Sequence, residues 1–180
     1  IVFVRRESEV FAQVVLGIAE VGNTFVSKDG RWKKGAYIPA FIRRYPFLLI
    51  DHQDRKLLGF ETEAKHFSNV KGEPLFNVHG ETQPAINKIR NFCMAFEMSW
   101  IQTRELVTEL DKADVLVAAT AHITGAHARK IDGFEMVDRE KLLDLPADTL
   151  KSWEAKGWLD AIRSHLVSLD KWSSIAAKKG

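Results

Sequence analysis

A seven-residue repeat of mainly apolar side chains is the feature that most constrains how this chain can fold. Its members are spaced alternately by three and four residues: Ile86, Ile89, Cys93, Phe96, Trp100, Thr103, Val107 and Leu110. This spacing places all of them on one face of an α-helix. Pro84 suits a first helical turn, and Thr82 can cap the helix start. The repeat therefore predicts one helix, 85–111, that is roughly 40 Å long at 1.5 Å per residue.

Two arrangements would bury the apolar face of this helix. In one, two copies of the chain form a coiled coil, and helix 85–111 is the interface of a homodimer. In the other, the helix lies across a sheet of its own chain. Phe92, Met98 and Ile101 widen the apolar stripe beyond a narrow coiled-coil seam, which favours the packed helix. The homodimer stays the alternative.

The segments around this helix predict an α+β fold. Short apolar runs at residues 1–4, 47–50 and 57–63 are typical of strands, and Asp29-Gly30 indicates a hairpin. After the helix, residues 115–124 and 130–137 predict two strands. Helices are predicted to start at Asp138 and Asp148, and Leu159 opens the last apolar stripe. We expect a β-rich N-terminal half packed with a long central helix and a C-terminal helical segment, in a single domain over residues 1–180.

The composition excludes several classes of protein. One cysteine in 180 residues excludes an intramolecular disulfide scaffold, and Cys93 lies on the apolar helix face, where a small buried side chain is expected. No apolar run approaches the ~18 residues of a membrane span, so no transmembrane segment is predicted. A net charge of +2 does not indicate a nucleic-acid partner. We expect a cytoplasmic protein, with association with the cell surface as the alternative.

The strongest local bias in charge lies between residues 28 and 44, which contain six bases and one acid. Aromatic side chains alternate with these bases. The candidate ligand-binding residues are Arg31, Trp32, Tyr37, Arg43, Arg44 and Tyr45. Arginine binds carboxylate or phosphate through two parallel hydrogen bonds, and tyrosine or tryptophan rings stack on sugars or peptide side chains. The alternative is that the cations lie on a solvated face and that Phe41, Ile42 and Phe47 belong to the core.

The sequence predicts no cofactor, no metal ligand and no catalytic residue. His79, Glu81 and His165 imitate the two-histidine, one-carboxylate pattern of non-haem iron sites, but a chain with six histidines and 24 acids contains such a pattern by chance. No Gly-x-Ser-x-Gly nucleophile motif is present. An enzyme with a metal-dependent site around these three residues is the alternative to a binding protein.

Several segments together resemble the SapC family of bacterial proteins. They are Tyr37-Ile38-Pro39-Ala40-Phe41-Ile42-Arg43-Arg44-Tyr45-Pro46-Phe47, Gly72-Glu73-Pro74-Leu75-Phe76, Asp132-Gly133-Phe134 and Ser164-His165-Leu166-Val167-Ser168-Leu169. Family members carry residues before the Ile-Val-Phe segment, so we expect a leading segment before Ile1. At position 79 the family more often has an acidic residue, which disfavours the iron pattern.

The resemblance implies a role and a class of partner. The family takes its name from a protein associated with a bacterial surface layer, and its biochemical activity is not established. It therefore carries no catalytic residue onto this chain. It implies a soluble accessory or binding protein, with an envelope or surface-layer protein, peptide or glycan as its partner.

Overall fold

The computed structural model describes residues 1–124 and 128–175, which form two compact units. Unit 1 comprises Ile1–Ala36 and the described residues of Thr103–Gly180, and unit 2 is Tyr37–Gln102. Because two compact units can fold as one cooperative domain, the single domain over residues 1–180 stays a prediction.

The elements follow one another along the chain as short strands, one long helix, two long strands and several short helices. They are β1 (Val2–Arg6), β2 (Glu9–Gln13), β3 (Gly17–Ile18), β4 (Gly22–Asn23), α1 (Ala40–Arg43), β5 (Phe47–His52), β6 (Arg55–Phe60), α2 (Pro84–Lys112), β7 (Leu116–Ile123), β8 (Arg129–Val137), α3 (Arg139–Leu143), α4 (Ala147–Ala155), α5 (Trp158–Ser168) and α6 (Trp172–Ile175). This order confirms the predicted α+β class.

Unit 1 is built on a four-stranded antiparallel sheet in the order β2-β1-β8-β7. Its core joins side chains of the sheet, the last turns of α2, and helices α4 and α5. The buried members are Phe3, Leu106, Val107, Leu110, Val115, Leu116, Val137, Trp153, Trp158 and Ile162. Leu110 and Val115 have no exposed surface at all. Burial of such side chains contributes about 1.5–3 kcal/mol each, so this cluster is the main stabilising contact of the unit.

His165 of α5 is a polar group buried in unit 1, with 2% of its surface exposed. Its Nε2 accepts a hydrogen bond from the Val137 backbone N–H at 3.1 Å, and its Nδ1 lies 3.1 Å from the Ile1 carbonyl. An accepting Nε2 leaves the proton on Nδ1, which donates to that carbonyl. Burial lowers the pKa of His165, against the opposing effect of the Ile1 carbonyl. The residue therefore bridges β8 and the start of the chain as a neutral imidazole.

Unit 2 contains α1, the two-stranded hairpin β5–β6 and the N-terminal part of α2. Its described residues include only four buried hydrophobic ones: Ala64, Ala85, Ile86 and Cys93. Fifteen large hydrophobic side chains of the unit are exposed. An aromatic cluster of Phe47, Phe60 and Phe67, with ring centroids 5.0 to 6.3 Å apart, packs one face of the hairpin. Unit 2 thus presents far more apolar surface than it encloses.

The long helix is confirmed, and half of its eight repeat residues are buried. Helix α2 has 29 residues; Ile86, Cys93, Val107 and Leu110 are buried within the chain, whereas Trp100 is exposed. The burial of these four residues supports the packed helix over the coiled coil, because side chains already covered by their own chain are not free to pair. The homodimer through helix 85–111 stays a prediction, which light scattering tests as twice the 20.4 kDa chain mass. None of the described helices is long and apolar enough to cross a membrane.

Helix α1 has one turn, because Tyr45 precedes Pro46 and a residue before proline disfavours helical geometry. One predicted helix start was wrong. Helix α4 begins at Ala147, so Asp148 lies inside its first turn and does not cap it. Asp138 does cap α3, since its carboxylate accepts hydrogen bonds from the backbone N–H groups of Glu140 and Lys141.

Lowering the pH should lower the free energy of unfolding because of His165. Because its folded pKa lies below the unfolded value of about 6.5, the unfolded state takes up the proton first. The contribution of neutral His165 to the free energy of unfolding is complete above pH 6.5 and is lost as the pH falls towards the folded pKa. Urea unfolding between pH 7.5 and 5.5 should show a falling free energy of unfolding in the natural protein and a flatter profile in His165→Gln. Equal slopes for the two proteins would contradict the role given to His165.

Candidate functional site

The six predicted binding residues are divided between the two units. Arg31 and Trp32 belong to unit 1, where the predicted hairpin is present: Trp32 pairs with Val26, and Gly30 takes a φ of 82° at the turn. Arg31 is highly exposed and lies 3.6 Å from the Asp29 carboxylate. The other four, in unit 2, lie on and around α1. The site described below is built from unit 2 alone.

Arg43, the last residue of α1, lies against aromatic rings. Its guanidinium carbon is 5.0 Å from the centre of the Phe92 ring and 5.3 Å from that of Tyr37. Its terminal nitrogen also donates a hydrogen bond to the Tyr37 hydroxyl at 3.2 Å. Rings stabilise a cation placed over their faces and leave the edges of the guanidinium open to solvent.

Arg44 repeats this arrangement one residue later. Its guanidinium carbon lies 4.7 Å from the Phe41 ring centre and 4.9 Å from that of Phe96, and the two rings are 6.3 Å apart. Phe92 and Phe96 are one turn apart on α2, so the two arginines stack on successive turns of the same helix. Among the described residues, neither Arg43 nor Arg44 forms an ion pair with a carboxylate. Both charges are held in place without being neutralised.

A cavity of about 560 Å³ opens beside Arg44. Most of its lining is apolar or aromatic, with three side chains that ionise: Phe41, Ile42, Arg44, Tyr45, Pro46, Phe47, Leu48, Glu61 and His66. The Tyr45 and His66 rings meet nearly edge-on, with centroids 5.3 Å apart and a 75° angle between their planes. A cavity of this size, largely apolar with a few polar groups, is suited to a small ligand or one end of a polymer.

The structure brings together side chains that the sequence patterns do not connect. Those patterns place Phe92 and Phe96 only on the apolar face of the helix, and they do not indicate Glu61 or His66. A usable signal was present, because two phenylalanines four residues apart offer ring faces to two cations. Their pairing with Arg43 and Arg44 across about 50 residues of chain required the tertiary structure.

The residues of the iron-like pattern form other hydrogen bonds. In the turn that contains His79, its backbone N–H donates to the Asn77 amide oxygen at 2.9 Å, and the Glu81 carboxylate accepts from the Asn77 amide at 2.7 Å. Both ring nitrogens of His165 lie at hydrogen-bond distance from backbone partners. In residues 1–124 and 128–175, no group of three or more His, Cys, Asp or Glu side chains is placed to hold a metal ion. The metal-dependent hypothesis therefore finds no ligand group in this part of the chain.

Comparison with known protein families gives a match over nearly the whole chain. The family model described as SapC covers residues 1–175 of this chain. Neither a curated protein nor a solved structure matches the chain.

Cys93 should behave as an inert core thiol. It lies on α2 with 2% of its surface exposed, and burial raises the pKa of its thiol, with the nearby Arg44 charge opposing this. In native protein at pH 8, a thiol reagent such as dithiobis-nitrobenzoate should label Cys93 slowly. In 8 M urea, one thiol per chain should react at once. Rapid labelling of the native protein would show that the thiolate is accessible.

Proposed function

Since the chain belongs to the SapC family, we propose that it is an accessory or binding protein for an anionic component of the bacterial surface layer or envelope. The ligand site in this proposal is the cavity beside Arg44, together with the Arg43 guanidinium. The observation that carries it is the pair of arginines stacked on aromatic rings with no carboxylate partner among the described residues. An unpaired cation that is held rigidly is a ready receptor for an anion.

Stacking prepares both arginines to bind. Ordering a long side chain on binding costs free energy, and a guanidinium already held against rings has lost that freedom beforehand. A terminal nitrogen of Arg43 donates to the Tyr37 hydroxyl, and the N–H groups of Arg44 have no hydrogen-bond partner among the described residues. The planar fork of a guanidinium matches a carboxylate or phosphate. Charge-assisted hydrogen bonds of this type are roughly twice as strong as neutral ones. The anionic group of the ligand would therefore be recognised first at Arg43 and Arg44.

The cavity walls add selectivity for what is attached to the anion. Phe41, Ile42 and Phe47 supply apolar surface, and the half-exposed Tyr45 ring offers a face for stacking. A bare inorganic anion would leave these walls uncovered. The arrangement favours an acidic peptide or an acidic sugar over a small inorganic ion.

The arginine pair can be tested with defined anionic polymers. Binding of polyglutamate and polygalacturonate, with uncharged dextran as the reference, is measured by titration calorimetry. The double variant Arg43→Ala/Arg44→Ala should weaken binding of at least one acidic polymer tenfold or more, with little change in melting temperature. The matched control, Lys88→Ala/Arg90→Ala, removes two exposed bases from α2 in the same unit and should bind within about twofold of the natural protein.

Two results would contradict the proposal. An equal loss in the test and control variants would mean that binding depends on overall charge and not on the stacked arginines. Unchanged binding in Arg43→Ala/Arg44→Ala would remove both residues from the site. If that variant unfolds, Arg43→Lys/Arg44→Lys retains the charges and the side-chain length but loses the planar fork, and it should still bind more weakly.

A further inference from the structure

The hairpin beside the cavity has open edges. Strands β5 and β6 pair only with each other among the described residues, so each presents an unpaired side. An isolated two-stranded hairpin is marginal in water, and an exposed apolar edge strand is a template for another strand. On one face of the hairpin, Leu48, Ile50 and Leu57 are all exposed.

The register shows which backbone groups point outward from β5. His52 and Arg55 flank a two-residue loop, so they form a hydrogen-bonded pair. Along an antiparallel hairpin, hydrogen-bonded pairs alternate with pairs whose backbone groups point away from the partner strand. Pro46 continues this alternation, since its carbonyl accepts from Glu61 N–H at 2.9 Å. Phe47, Leu49 and Asp51 therefore direct their backbone groups away from β6. The Phe47 N–H donates to the Arg44 carbonyl at 2.7 Å, whereas those of Leu49 and Asp51 have no backbone partner among the described residues.

The N-terminal end of β5 adjoins the cavity. Phe47 and Leu48, the first residues of β5, line the cavity that also contains Arg44. We propose that the ligand is the carboxyl-terminal end of an extended peptide, whose main chain pairs with the open edge of β5 and whose terminal carboxylate binds Arg44. This inference rests on the proposed function, because it uses the same arginine as the anion receptor.

The geometry sets the direction of the peptide. Its carboxylate lies at the N-terminal end of β5, so its preceding residues run along β5 in the antiparallel sense. The Leu49 and Asp51 N–H groups donate to peptide carbonyls, as in strand addition to a sheet edge. Alternate peptide side chains then face the patch of Leu48, Ile50 and Leu57, and the last side chain enters the apolar cavity. An apolar last residue with a free carboxylate fits both features.

The test uses two peptide pools on the immobilised full chain. Each pool contains acetylated hexapeptides that are randomised at the first five positions and end in Leu, Ile, Val or Phe. One pool has a free carboxylate, and the other ends in an amide. Mass spectrometry of the retained peptides should show at least tenfold more of the free acids. Arg44→Gln should abolish that difference.

A matched pair of proline variants tests the strand edge. Leu49 and Leu58 face each other in the hairpin, and each directs its N–H to an opposite outer edge. Leu49→Pro removes a donor from the proposed edge and should lower retention tenfold or more, whereas Leu58→Pro should leave it unchanged. Should either variant unfold, amide hydrogen exchange on the natural protein decides. Saturation with the best-retained peptide should slow exchange at Leu49 and Asp51 but not at Leu58 or Phe60.

The outcomes separate this inference from the proposed function. Equal retention of the two pools overturns the terminal-carboxylate ligand, and equal retention by the two proline variants overturns pairing with β5. Unchanged exchange rates at Leu49 and Asp51 would also overturn pairing with β5. A peptide-induced rise to dimer mass in light scattering would overturn it as well, because that result would assign the edge to a second copy of the chain. If acidic polymers still bind through Arg43 and Arg44 in these cases, the proposed function stands. If Arg43→Ala/Arg44→Ala binds the acidic polymers and the peptides as the natural protein does, both proposals are wrong.

Discussion

Burial of the last turns of α2 is the contact on which the structure of unit 1 depends. Val107 and Leu110 pack into the same cluster as Phe3 of β1, Val137 of β8 and Trp158 of α5, elements that are far apart in the chain. A helix of 29 residues gains little from its backbone alone, and its stability comes from an apolar face covered by other elements. The same apolar face predicts, before any coordinates, that a sheet or a partner covers the helix, and the apolar runs on both sides of the helix predict the strands of an α+β fold.

A different interaction organises the candidate site in unit 2. There the aromatic rings of α2 pack against two guanidinium groups, and neither is joined to a carboxylate among the described residues. The rings orient the cations, and the hairpin next to them leaves a strand edge and an apolar face open. A region with little enclosed core and much exposed apolar surface is typical of a part of a protein that binds a partner or ligand. Both proposals rest on the two arginines without a carboxylate partner, and the second rests also on the open strand edge.

Local sequence rules predicted the site only in part. The cluster of bases and rings at residues 31–45 predicted Tyr37, Arg43, Arg44 and Tyr45 as binding residues, because composition in a short window is visible directly. It also included Arg31 and Trp32, which belong to the other unit. One short stretch of sequence can therefore belong to two compact units. Glu61, His66 and the ring faces of α2 were omitted for another reason: they are distant from α1 in the sequence and meet it only after folding.

By itself, the sequence determined the long helix, the α+β class, the strands on both sides of the helix, the buried cysteine and the family. The first four follow from spacing along the chain, since periodicity and turn residues act over a few positions. The family follows from the resemblance of whole segments of the sequence. Only the tertiary structure decided that half of the helix repeat is buried by its own chain, that His165 is held by two backbone groups, and that Arg43 and Arg44 stack on rings instead of pairing with acids among the described residues. Those outcomes depend on which distant residues meet, and that choice is made by packing over the whole chain and not by any local pattern.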